Sequence, residues 1–156
     1  MAKIPRSIRE AAMDYLSRRE HGTQELFQKL RLKGYDEADI SEALRRLKSD
    51  GLLSDERFTE AFINQRISRG SGPLKIRAEL RQKGISDAMI ESLINERDAG
   101  WYESALSARI KKYGFSLPSD LKEKSRQSRF LQSRGFSGEQ IRYAMQHAED
   151  EMNEFE

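Results

Sequence analysis

Apolar residues recur along this chain at three- and four-residue intervals, and they do so three times in the same frame. Leu26 and Leu30 precede Lys33-Gly34-Tyr35-Asp36, and Ile40 and Leu44 follow. Ile76 and Leu80 precede Lys83-Gly84-Ile85-Ser86, and Ile90 and Ile94 follow. Gln127-Ser-Arg-Phe-Leu131 precedes Arg134-Gly135-Phe136-Ser137, and Ile141 and Met145 follow. The three glycines stand 50 and 51 residues apart. An i, i+4 apolar pair is one stripe of a helix. The cation before each glycine suits the negative end of the helix dipole. The glycine can take the left-handed conformation that ends a helix. Asp36, Ser86 and Ser137 then fit as N-caps, with Tyr35, Ile85 and Phe136 at the staple position before them. Each copy therefore predicts helix, glycine corner, cap, helix.

A third helix precedes each corner. Ile8, Ala12 and Leu16 stripe the first; Phe58 and Phe62, with Ile63 and Ile67, stripe the second. Ile8 and Phe58 both lie 26 residues before their glycine, so this helix belongs to the repeat. Ser54 or Asp55 caps the second. The third starts near Ala99–Trp101, runs to Tyr113 and is followed by an inserted loop, Gly114 to Asp120. The pattern predicts an all-α chain of about nine helices and no strands, since alternating β-branched positions are absent. The expected organisation is repeat 1 over 1–50, repeat 2 over 51–97, repeat 3 over 98–149 and an acidic tail over 150–156. The period excludes tetratricopeptide and ankyrin units, which are about 33–34 residues long. Such a repeat chain is expected to be elongated.

Composition narrows the function classes. Hydrophobic residues make up 37% and charged residues 35% of 156, which favours thin helical layers over one large core. The chain has no cysteine, which removes disulfides, thiolate zinc sites, iron–sulfur clusters and a cysteine nucleophile. No apolar run reaches the length of a bilayer span, and the first residues lack the apolar stretch of a signal peptide. A cytoplasmic location is expected. H-E-x-x-H, G-x-S-x-G and nucleotide-loop motifs are missing, and the two histidines lack ligand spacing. His21, at a helix end, is expected to cap or face water, and His147 to be solvated. The Glu79/Lys83 spacing suggests a solvated helix face. No enzyme, metal site or cofactor is expected.

Net charge is only +2, but its distribution is uneven. Residues 57–83 carry a net +5 and residues 106–134 a net +6, while the last ten hold five acids and no Lys or Arg. The candidate contacts for a partner or for DNA are Arg57, Arg66, Arg69, Lys75, Arg77, Arg81, Lys111, Lys112, Arg126 and Arg129. The bland alternative is that they are solvated cations and helix-dipole complements. Gly70-Ser-Gly-Pro73-Leu-Lys75 is expected to be a tight turn with Pro73 at the first helical position. An anion at the helix start it leads into is the second reading. Phe58, Phe62, Trp101 and Phe130 fall at helical spacing and are expected in the core rather than on a base-stacking platform.

Three separated blocks resemble the RecX family, regulators of the RecA recombinase. The central block is Leu53-Ser-Asp-Glu-Arg57-Phe58, Ala61-Phe62, Arg66, Gly70-Ser-Gly-Pro-Leu-Lys-Ile76-Arg77-Ala-Glu79-Leu80 and Lys83-Gly84-Ile85. Arg19-Glu20-His21 with Glu25-Leu26 and Lys29-Leu30 forms the first block, and Arg129-Phe130-Leu131 with Arg134-Gly135-Phe136-Ser137 the third. The chain departs where family members often have Ser, at Gly22, and Thr23 is expected to take over that cap. The resemblance implies three tandem three-helix repeats in an elongated, curved array and a non-enzymatic protein of the bacterial cytoplasm; a monomer is the default expectation. It further implies binding to RecA and its filament on single-stranded DNA, mainly inhibiting filament extension, ATP turnover and strand exchange, and so regulating DNA repair and the SOS response. The competing expectation is an autonomous DNA-binding helical module acting through its basic faces.

Overall fold

Every predicted corner forms, and each forms from local chemistry. The computed structural model describes residues 6–154, with side chains through 148. Among the described residues there are nine helices and no strand: α1 (Ile8–Arg18), α2 (Thr23–Leu32), α3 (Glu37–Ser49), α4 (Asp55–Ser68), α5 (Pro73–Gln82), α6 (Asp87–Leu93), α7 (Ala99–Tyr113), α8 (Leu121–Ser133) and α9 (Gly138–Glu154). Gly34, Gly84 and Gly135 end α2, α5 and α8 with φ of +98°, +81° and +97°. In each corner the amide of the residue after the glycine, three past the helix, bonds back into it, as Tyr35 N–H to the Leu30 carbonyl does. The next residue caps the following helix. Asp36 accepts from the amides of Ala38 and Asp39, and Ser86 from that of Met89. Ser137 and Gln140 cap reciprocally, hydroxyl to amide and amide oxygen to N–H, as a capping box.

The chain divides into two compact units, Met1–Phe62 with Leu80–Ile90, and Ile63–Glu79 with Glu91–Glu156. The first unit holds the α1–α3 core of Ala11, Ala12, Leu26, Leu30, Ile40, Leu44, Leu47 and Leu53. Each fully buried Leu or Ile there is worth about 1.5–3 kcal/mol of transfer free energy. The second holds the α7–α9 core of Ala105, Leu106, Leu131, Phe136, Ala144, Met145 and Ala148. The apolar stripe of the middle repeat is buried as expected at Phe58, Phe62, Ile63, Ile76, Leu80, Ile90 and Ile94. Ile67 is the exception: it is exposed, at the end of α4. The acid-rich end carries α9 on to Glu154, and its side chains from Glu149 onward lie outside the described residues. No described helix is long and apolar enough to cross a membrane.

Within the first unit two expectations change. Thr23 does not cap α2. The N-cap is Gly22, which makes no side-chain cap bond, and the Thr23 hydroxyl is buried without a partner. Asp55 supplies the cap instead, its Oδ1 accepting from Thr23 N–H at 2.7 Å. Ser54 is left to cap α4 through the Arg57 amide. His21 does not face water; its ring bonds the carbonyl of Arg19, the C-cap residue of α1. The histidine is 2% exposed. Its Nδ1 donates to the Arg19 carbonyl at 3.0 Å, so its Nε2 accepts from Lys29 Nζ at 3.1 Å. Burial lowers its pKa below the ordinary value, the Arg19 carbonyl acts in the opposite sense, and the nearby Arg19 and Lys29 charges lower it further.

Within the second unit the Gly70–Pro73 turn is fixed by the α8–α9 corner. Gly72 N–H donates to the Arg134 carbonyl at 2.6 Å, and Leu74 N–H to the Gly135 carbonyl at 2.9 Å. A Cβ on Gly72 would fall 2.5 Å from the Gly135 carbonyl carbon and oxygen. Pro73 opens α5 as expected. The amides of Gly70, Ser71, Gly72 and Leu74 are already taken by carbonyls, which favours the plain-turn reading over the anion reading.

Gly72→Ala and Gly34→Ala separate two reasons for glycine. Gly34 has open space around a Cβ but a positive φ, so its alanine variant is expected to lose about 1 kcal/mol. Gly72→Ala must push backbone from backbone and is expected to lose about 2–4 kcal/mol. Urea unfolding of the two variants measures this; equal losses would contradict the close-approach account.

Candidate partner interface

Ten cations were candidates, and tertiary structure sorts them by partner. In the first unit, Arg57 is a clamp: Nε donates to Glu20 at 2.9 Å and a terminal nitrogen to the Gly51 carbonyl at 2.9 Å. Arg81 pairs with Asp87 across the α5–α6 corner at 2.8 Å. Lys83 reaches Glu25 at 3.6 Å instead of its helical neighbour Glu79. Glu25 also takes both terminal nitrogens of Arg19, at 2.9 and 3.0 Å. Burial alone would raise the Glu25 pKa; the Arg19 hydrogen bonds and the Arg19 and Lys83 charges overcome this and hold it at about 2.

In the second unit, Arg66 binds Glu79 at 2.9 Å, and both side chains are about three-quarters covered. The expected Glu79/Lys83 helical pair is therefore not made, because each partner finds a carboxylate or cation on another helix. Arg77 is 16% exposed and lies between Glu96 and Glu91, the latter at 3.3 Å. Arg109, counted in the basic surplus of 106–134, is fully buried. It donates to Gln127 Oε1 at 3.1 Å and to the carbonyls of Gly114 and Ser116 at 3.3 and 2.6 Å. One buried guanidinium thus anchors the inserted loop. His147 is half-buried rather than solvated, stacked on Tyr143 at 4.1 Å.

Arg57 and Arg81 stay exposed despite their pairs, and the remaining candidates are exposed as well. Arg126 has a long contact to Glu123, 3.5 Å, and Arg129 one to the Ser125 carbonyl, 3.4 Å. Arg69, Lys75, Lys111 and Lys112 are exposed and have no carboxylate partner among the described residues. Three of them gather at one place. Arg69, Lys111 and Lys112 edge a cleft of about 550 Å³ between the end of α4 and the outer faces of α7 and α8. Arg134, which was not among the candidates, joins them. Ile67, Ala108 and Phe130 give the cleft apolar wall, so the exposure of Ile67 has a location. Phe130 does not lie in a closed core. Lys112 Nζ sits 4.4 Å and the Arg134 guanidinium 5.1 Å from its ring centre, with Tyr113 edge-on at 5.6 Å. The sequence signal for Arg134 was its i, i+4 spacing from Phe130 (a pair that charge counting treats separately).

Comparison with known proteins gives one answer along most of the chain. The model of the RecX first three-helix domain matches residues 9–47, that of the second 54–94 and that of the third 101–145. The chain is 39% identical over 145 residues to the regulatory protein RecX of Halorhodospira halophila, covering 93% of this chain and 90% of that one. It is 41% identical to the regulatory protein RecX of Vibrio campbellii, over 93% of this chain and 94% of that one. A crystal structure of RecX from Lactobacillus salivarius has the same fold, with TM-score 0.76 at 24% identity over 90% of this chain and 94% of that one.

The sorting is testable by stability. Arg77→Ala strands two carboxylates and is expected to cost about 1–3 kcal/mol in urea unfolding. Lys111→Ala and Arg69→Ala are expected to stay within about 0.5 kcal/mol of the parent. An Arg77→Ala variant as stable as those two would show that Arg77 is a surface cation after all.

Proposed function

The chain belongs to the RecX family, and on that premise we propose that it binds the RecA recombinase and its filament on single-stranded DNA, mainly to limit filament extension, ATP turnover and strand exchange. The observation that carries this reading is the run of three RecX domains in order along one chain. The family's proteins carry the name of regulatory proteins, so the reading is one of binding and not of catalysis. It places the protein in the bacterial cytoplasm as a monomer, acting on DNA repair and the SOS response. Two of the ten candidate cations, Arg66 and Arg77, are largely covered and hold carboxylates within the chain, so they drop out of the proposed contact surface. Arg57, Arg69, Lys75, Arg81, Lys111, Lys112, Arg126 and Arg129 are exposed and remain in it.

Autonomous DNA binding is the second reading. Its support is the exposed row Lys122, Arg126 and Arg129 along α8, one helical stripe that could follow phosphates. The two readings separate in a single titration series. Substoichiometric amounts of this protein are expected to lower the ATP turnover of RecA on single-stranded DNA, at salt where the protein alone does not bind the DNA. No effect at equimolar protein would overturn the recombinase reading. Inhibition that tracks the protein's own salt-sensitive DNA binding would favour the second.

A further inference from the structure

The cleft in the second unit combines features that a phosphate track does not need. Its wall is apolar at Ile67, Ala108 and Phe130, and its rim is cationic at Arg69, Lys111, Lys112 and Arg134. The one carboxylate on it, Glu103, accepts from the Tyr143 hydroxyl at 3.0 Å. None of the four cations has an ion-pair partner among the described residues, so four cations against one carboxylate leave the rim with excess positive charge around a space large enough for a few side chains. We propose that this cleft is a docking site for an acidic peptide segment of a partner protein, which seats one apolar side chain against Ile67, Ala108 and Phe130 and places carboxylates on the rim.

Two observations favour a peptide over a nucleic acid. First, Lys112 and Arg134 already lie 4.4 and 5.1 Å from the centre of the Phe130 ring and Tyr113 meets it edge-on, so a stacked base would compete with both cations where a single apolar side chain needs only part of the ring. Second, the cations ring a concavity with apolar wall between them, whereas a sugar–phosphate chain gains from a linear row. An anchor side chain in a pocket with a charged rim is a common protein-recognition arrangement. The backbone of Arg134 is held by Gly72 and that of Gly70 by Ile67, so two sides of the cleft are fixed before any partner arrives. The inference goes beyond the recombinase reading, because it names the chemistry of the occupant whichever protein presents it.

The probe is a short fluorescein-labelled peptide of Asp and Glu around a single Phe, read by fluorescence anisotropy with the intact chain. The controls are the same peptide with Phe→Asp and a labelled single-stranded oligonucleotide of similar length. Saturable binding of the Phe peptide is expected, weakened at least about tenfold by Phe→Asp in the peptide. The double charge reversal Arg69→Glu with Lys111→Glu, and separately Ile67→Asp, are expected to weaken it by a similar factor. All three positions are exposed, and unchanged thermal melts confirm that the variants fold. Equal binding of the two peptides, or no saturable binding, overturns the proposal. So does oligonucleotide binding that falls in parallel with peptide binding across the variants, which would make the cleft a nucleic-acid site. None of these readings involves RecA, so failure here leaves the recombinase reading standing.

Discussion

The second unit depends on two glycines meeting backbone to backbone. Gly72 and Leu74 give their N–H groups to the carbonyls of Arg134 and Gly135, at 2.6 and 2.9 Å. The approach is so close that neither glycine has room for a methyl group: a Cβ on Gly135 would lie 2.4 Å from Lys75 Cβ. Backbone donors at a helix start normally look for a side-chain cap or an anion. Here the α8–α9 corner supplies the acceptors, and its glycine turns those carbonyls outward. The same contact sets where α4 ends and α5 begins, and with it the position of Ile67 and Arg69 beside α7.

The ion pairs follow from that placement and change what the basic surplus means. A count of charges along residues 57–83 treats Arg57, Arg66, Arg77 and Arg81 as available. Each has a carboxylate within reach, at Glu20, Glu79, Glu91 with Glu96, and Asp87 respectively. For three of these four cations the partners lie 13 or more residues away in sequence. Arg109 is an extreme case, a buried cation whose role is to hold Gly114 and Ser116. The cations left without carboxylates are fewer and more clustered than the sequence suggested, and several of them surround one apolar cleft.

Legibility in the sequence followed the range of each interaction. The corners were readable because everything in them is local: the cation, the left-handed glycine, the staple residue and the cap lie within four consecutive positions. The start and end of α7 were readable for the same reason. The cap of α2 was not, because Asp55 reaches it from 32 residues away. His21 misled because a histidine at a helix end gives no hint that Lys29 and Arg19 will enclose it. Ile67 continued the apolar stripe of α4 by spacing, yet its position falls where that helix leaves its own core and borders the cleft. Arg134 was visible as a helix-ending cation, and only packing shows that its side chain lies over Phe130.

The backbone contact between the α4–α5 turn and the α8–α9 corner is most directly tested by native-state hydrogen exchange at the amides of Gly72 and Leu74. Both belong to a turn and to the first residues of a helix, positions that exchange quickly when only water receives their hydrogen bonds. The account predicts that both are protected to nearly the level of the core amides of α5 and α8. Exchange at the rate of an open loop would contradict it, and would leave the cleft beside Arg134 without a fixed wall.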